Sequence, residues 1–213
     1  RNHYKASDFK QIIHIVDTDA AYLEDDKVLE DTECVELFYQ DDGIHTSDVK
    51  KVLFRNKQKI ENLYRLRSCR KIWGVPYRVY YMSCNLDHVL YDKRNSTNEE
   101  KEDDAYAFAK KYKNNVDAFM DFMCESMFSI KGDFKESWEF IEEDMHSIER
   151  YTNLPICLEE EMQKREENAM PFIVHVPKNK IEPNLGIADG KYMIPDNIDK
   201  CNDEIAKMFG VDE

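Results

Sequence analysis

The order of apolar runs predicts an α/β fold, a small parallel-sheet core followed by a mainly helical C-terminal half. Two short β-rich runs, QIIHIV (11–16) and PYRVYYMS (76–83), each end in polar residues, and one long amphipathic segment separates them. Parallel strands need a long crossover between them, so this strand–excursion–helix–strand order is what a parallel α/β unit produces. Beyond Asn85 the apolar residues fall mostly at helical spacing until about residue 170.

The elements follow from local chemistry. QIIHIV is too short and too β-branched for a helix, so 11–16 is read as a buried strand with His14 at the core edge. DTDAAYLEDDKVLEDTE reads as a polar connection, VELFYQ (35–40) as a strand and DDGIHT as a turn. Ser47 is placed to cap a helix running to about residue 70, with Val52, Leu53, Ile60, Leu63, Tyr64 and Leu66 as its apolar stripe and Gly74 and Pro76 as its stop. Asn85 opens a short helical segment. Thr97 or Ser96 caps a helix from Asn98 to Lys113, acidic at its start and basic at its end. Further helices are expected over 114–128, 134–151 and 154–168, then a strand in MPFIVHVPK, an ordered loop over 180–198 and a terminal helix stopped by Gly210.

With 213 residues, 42% hydrophobic and 35% charged, the chain can bury a core and is not of disordered composition. No run of eighteen apolar residues exists, so no membrane span is expected. The chain starts RNHYKASDFK, with neither Met nor an apolar signal region, and is read as a fragment or processed product. Six cysteines at long, irregular spacings contain no C-x-x-C pair, which leaves a zinc ribbon unsupported and points to free thiols in a reducing cytoplasm. Gly-rich phosphate loops, H-E-x-x-H and G-x-S-x-G are all absent. The net charge is −14, yet residues 50–71 hold nine Lys or Arg and one Glu, a balance of +8 that leaves −22 on the remaining residues. Such segregation argues for a focused anion-facing surface.

Two stretches carry the chemistry. In IIHIVDTDAAY, Asp17 and Asp19 stand two apart at a strand end, where both project to one face. Paired carboxylates repel unless a cation or protons neutralise them, and Mg²⁺ or Mn²⁺ takes such hard oxygens. The bland alternative is a strand end with two turn-forming aspartates. In YYMSCNLDHVLYDKR (80–94), Ser83, Asn85, Asp87 and His88 follow the second strand. They fall on the same rim if the strands are parallel neighbours, since ligands bind beyond the C-terminal strand ends of open α/β sheets. There the alternative is a polar exit whose Asn or Asp caps a helix.

The order of IVDTDAA (15–21) and MSCNLDHVLY (82–91) resembles Toprim-type proteins of bacterial defence systems, the RloB-like group in particular. The resemblance spans about residues 11–92. It implies a Toprim-like α/β core over 1–95, incomplete at its N-terminus, with a helical extension over 96–213 packed on it. Asp17 and Asp19 match the metal-binding pair, Asn85 matches the Asn of the later segment, and Asp87 stands for its acidic follower. The implied activity is Mg²⁺- or Mn²⁺-dependent phosphodiester cleavage of DNA or RNA. Lys57, Arg65, Arg67 and Arg70, chosen because they avoid the apolar stripe, would contact the nucleic-acid backbone. Two features depart from the family. Its additional glutamate on a glycine-containing turn has no counterpart upstream of Gln11, and its Cys-Phe-Glu-Leu run is replaced by Leu-Asp-His-Val. These departures keep open a catalytically inactive Toprim-like binding or scaffold protein, acting with a partner protein in a defence or regulatory complex. A haloacid-dehalogenase-like phosphatase is the weaker rival, because GDFKES (132–137) holds only one of the acids of that family's late motif.

Overall fold

The computed structural model describes residues 4–169. In chain order these form β1 (Ile12–Asp17), β2 (Val28–Glu30), β3 (Phe38–Gln40), β4 (Gly43–Thr46), α1 (Val49–Ser68), β5 (Lys71–Ile72), β6 (Val75–Met82), α2 (Leu86–Tyr91), α3 (Asn98–Tyr112), α4 (Val116–Glu125), α5 (Phe134–Glu142) and α6 (Leu154–Ala169). The strand expected in MPFIVHVPK, the 180–198 loop, the terminal helix and Cys201 lie outside the described residues.

β1 and β6 pair in parallel, in register from Ile12 against Tyr77 to Asp17 against Met82. The sheet order is β1-β6-β5, so β6 is central and β1 is the outer strand. β1 is therefore half-buried and not fully buried as expected: Ile13 and Ile15 remain 43% and 45% exposed, while Ile12 and Val16 pack against the core. His14 takes the core-edge place expected of it, with Nδ1 2.7 Å from the Tyr77 hydroxyl.

The sheet is mixed and not purely parallel. β5 runs antiparallel to β6 through a two-residue hairpin in which Trp73 (φ 55°) and Gly74 (φ 79°) both take positive φ. That is the backbone a tight hairpin of matching twist requires. Gly74 thus turns a hairpin where a helix stop was read. A second three-stranded sheet, β2-β4-β3, comes from residues read as connection and turn. β4 lies parallel to β2 and antiparallel to β3. The DDG sequence before it makes the tight β3–β4 reversal, and Ile44 behind it is fully buried.

α1 begins one residue later than expected. Asp48, not Ser47, is its cap, and its carboxylate accepts the Lys51 N–H at 3.0 Å. Val52 and Leu63 are buried as predicted, but Tyr64 is 66% exposed and the polar Asn56 takes a buried place on the stripe. Thr97 and Glu100 form a capping box for α3, and Asn115 caps α4. α5 stops at Glu142, shorter than the expected 134–151, and Ile148 in the following turns is fully buried. α4 and α6 close over Tyr80, Met82 and Val89, whereas Trp138 and Ile141 of α5 pack on Tyr77, Val79 and Tyr81. Both faces of β6 are thus covered. The wholly buried Asn153 is satisfied by polar partners, accepting the Tyr81 N–H at 2.8 Å and donating to Ser137 Oγ at 2.9 Å.

Candidate active site at the strand ends

Because β1 and β6 are parallel, their C-terminal exits, 17–20 and 83–88, leave the same edge of the sheet. Thr18 joins the two exits. It is fully buried, its N–H donates to Met82 O at 3.0 Å, and its Oγ1 accepts the Cys84 N–H at 3.0 Å. The Asp19 N–H donates to Cys84 O at 2.8 Å. The residue between the two aspartates is therefore the pin that holds one motif against the other.

The backbone here is strained. Asp19 and Ala20 (both φ 52°) and Cys84 (φ 54°) occupy the left-handed region. Non-glycine residues enter it at a cost, and such outliers gather at functional sites. Ala20 and Ala21 are 0% and 1% exposed, so the turn that strains the chain also seats it against the core.

Burial, then the neighbouring Asp19 carboxylate, raises the Asp17 carboxyl from its ordinary 3.8 to about 6. Lys59 and an N–H from Leu86 pull it down, and Asp87 adds to the rise. Asp17 thus feels Asp19 within its own motif and Asp87 across the other. Asp19 is held by Lys59 at 2.6 Å, and Asp87 has Lys101 at 3.7 Å. Among the described residues no group of three or more His, Cys, Asp or Glu side chains is arranged to hold a metal ion.

Asn85 caps α2, accepting the His88 N–H at 2.8 Å and donating to Arg94 O at 2.7 Å. Both ends of its amide are engaged in holding α2 and the following loop, which makes it a positioning residue. His88 is 3% exposed, and burial, aided by the Arg94 cation, pushes it down to about 4, so it is neutral near pH 7. Burial pushes the Cys84 thiol up to about 12, which makes it an inert core thiol and no nucleophile.

The predicted basic residues divide. α1 runs back from the acidic edge toward the start of the sheet, so Arg67 and Arg70 lie at the opposite end from Asp17. There they line a cleft of about 780 Å³ with Arg78, Tyr64 and Tyr77. Arg67 is engaged structurally, paired with Glu142 and stacked 5.1 Å over Trp138. Lys57, Arg65 and Arg70 are exposed, with no ion-pair partner among the described residues. The cations that reach the acidic site are Arg55, whose Nη2 donates to Asp19 O at 3.0 Å, and Lys59. Both lie beside the buried stripe of Val52, Asn56 and Leu63. Selecting cations away from that stripe picked those facing outward, whereas a site at the sheet edge draws on the ones next to it. Their i, i+4 spacing puts Arg55 and Lys59 on one face of the helix.

No helix among the described residues is long and apolar enough to cross a membrane. Comparison of the chain with protein-family models, with curated proteins and with solved structures returns no match.

Proposed function

We propose that the chain is a metal-dependent nucleic-acid phosphodiesterase of Toprim type. One observation supports this reading: the two parallel strand exits leave one edge of the sheet, and there Asp17, raised to about 6, feels the charges of Asp19 and, least, of Asp87. A fold that brings carboxylates together in a half-buried place, with no ion pair to Asp17 among the described residues, suits a site whose charge is balanced by a ligand. The donor chemistry is that of Mg²⁺ or Mn²⁺, all oxygen and anionic. Asp17 and Asp19 would hold the ion. When bound, the ion supplies charge neutralisation at the phosphate and a more acidic water. Of the chain's own groups, Thr18 fixes the two motifs relative to each other, Asn85 orients α2 and with it Asp87, and Lys59 offers a second positive charge to a phosphate oxygen.

A second reading rests on Lys59. Its ammonium already sits on Asp19 at 2.6 Å, the place of a cation in an active site. A chain that has replaced its metal with a lysine would be an inactive Toprim-like binding or scaffold protein. Cleavage of labelled single- and double-stranded DNA and RNA with Mg²⁺ or Mn²⁺ decides between the two. The nuclease reading expects cleavage that is lost in Asp17→Asn. Absence of cleavage with every substrate, together with equal Mg²⁺ titration heats for the wild type and Asp17→Asn, would leave the scaffold reading.

A further inference from the structure

Two residues beyond Asp19 the chain enters the wall of an open cleft of about 600 Å³, within the range of small-molecule sites. Leu23, Leu53 and Ile60 give it an apolar lining, and Phe54 of α1, 63% exposed, stands at it with a ring free to stack. Its polar groups are few. Asn56 is 5% exposed, and its Oδ1 accepts two N–H groups of Arg55, from Nη2 at 2.7 Å and from Nε at 3.1 Å. Those two bonds settle which end of the amide is which, because a guanidinium only donates. The end left over is the Nδ2 donor, which has no partner among the described residues. A buried donor without an acceptor is costly, so a small turn of the Asn56 amide that opens it to the cleft gives this wall a donor that the fold itself leaves unused. The same Arg55 Nη2 also donates to Asp19 O, which ties the cleft to the acidic site through one side chain.

We propose that this cleft is a nucleobase subsite, seating the base of the nucleotide whose phosphate lies at Asp17 and Asp19. The proposal rests on the phosphodiesterase reading and adds to it what the site recognises. An apolar slot with an exposed aromatic ring suits the flat face of a base, and the Asn56 amide, once turned toward the slot, offers its donor to a ring nitrogen or carbonyl. Lys57, with no ion-pair partner among the described residues, stands at the cleft with the carboxylates of Asp25 and Glu61. That balance is net negative, so the slot takes the uncharged base and leaves the phosphate outside. The two carboxylates accept from exocyclic amino groups, which favours adenine, guanine and cytosine over uracil.

The test is calorimetric titration of the full chain, without metal, with AMP, CMP, UMP and ribose 5-phosphate. AMP and CMP are expected to bind more tightly than UMP, and ribose 5-phosphate not measurably. Phe54→Ala, at an exposed position, is expected to weaken AMP about tenfold. Asn56→Asp keeps a partner for Arg55 but removes the donor, and a similar loss is expected with the thermal melt retained. AMP binding equal in wild type and Phe54→Ala, or ribose 5-phosphate binding as well as AMP, would overturn the proposal. So would an apolar dye that occupies the cleft and resists displacement by nucleotides, since that marks an apolar partner. A parallel Mg²⁺ titration separates the two readings. Mg²⁺ binding that depends on Asp17 with no nucleotide binding removes the subsite and leaves the phosphodiesterase. Phe54-dependent nucleotide binding without Mg²⁺ binding leaves the subsite and removes the metal chemistry.

Discussion

Asp17 is a residue whose charge works against its own fold. Its carboxyl is raised from 3.8 to about 6, burial first and Asp19 second. A folded value above the unfolded one means that the fold favours the protonated form. The ionised form therefore destabilises most above about pH 6, and the penalty fades as pH falls through 6 toward 3.8. A shift of about two units corresponds to at most about 3 kcal/mol, and partial solvent access reduces this to about 1–2 kcal/mol. Asp17→Asn is therefore expected to raise stability by about 1–2 kcal/mol at about pH 8 and to change it little at about pH 4. Urea unfolding at both pH values measures this. The same variant is expected to lose Mg²⁺ or Mn²⁺ affinity, because it removes an anionic ligand. Stabilisation joined to loss of ligand is the signature of a residue retained for function. A loss of stability at the higher pH would mean that Asp17 is a satisfied structural carboxylate.

Elements differ in how plainly the sequence announces them, and physical reasons explain which were legible. β1 and β6 are six and eight residues long, enough for apolar density to stand out, and their parallel pairing follows from the long crossover between them. The caps Thr97 and Asn85 have side chains that serve only one purpose well at those places. β2, β4 and β5, of two to four residues, complete too few periods to be distinguished from turns. β4 hides further, because Gly43 looks like a loop residue. It is a glycine for reasons of contact: a Cβ there would meet Lys27 O at 2.1 Å, and its φ is 148°. Gly43→Ala is expected to destabilise by about 3 kcal/mol or more, since the clash is with backbone that cannot swing away. A thermal melt that barely moves would show that β2 does not sit against β4 in this way. α1 carries a second test of element-scale reading. Arg67→Glu breaks the pair with Glu142 and the contact over Trp138 and is expected to lose about 1–3 kcal/mol. Arg70→Glu, at an exposed position, is expected to stay within about 0.5 kcal/mol of wild type.

The candidate site was half legible for the same kind of reason. Two strand ends on one edge could be read from order alone, so Asp17, Asp19, Asn85 and Asp87 were named together. What order cannot supply is which side chains on a helix reach that edge. Lys59 and Arg55 depend on the rotation of α1 over the sheet, which is set by the burial of Val52, Asn56 and Leu63. A hydrophobic pattern finds Val52 and Leu63 but includes the exposed Tyr64 and passes over the polar Asn56, so it sets the rotation of the helix slightly wrong.

At the scale of the whole molecule, a chain of net charge −14 meets a polyanion only through a concentrated positive surface, and residues 50–71 are where it is concentrated. The fold divides that charge. Lys59 and Arg55 serve the acidic edge and Arg67 serves α5, while Lys57, Arg65 and Arg70 stay exposed without ion-pair partners among the described residues. Those three, together with the exposed Lys50, Lys51 and Lys71, are the cations of this segment left to meet phosphates. Each phosphate contact releases counterions, so affinity for nucleic acid is expected to fall steeply with added salt. The triple reversal Lys57→Glu, Arg65→Glu and Arg70→Glu is expected to weaken DNA or RNA binding about equally across sequences and to flatten the salt slope by up to about three contacts. Because none of the three is buried or paired, the melt is expected to move little. Arg67 stays out of the set, since its reversal would confound binding with folding. Filter binding at low and high salt, with the wild type and the triple variant, reads all of this at once. A flat wild-type salt response, or a triple variant that binds as the wild type does, would assign the basic helix to the surplus acid of a partner protein and favour the scaffold reading.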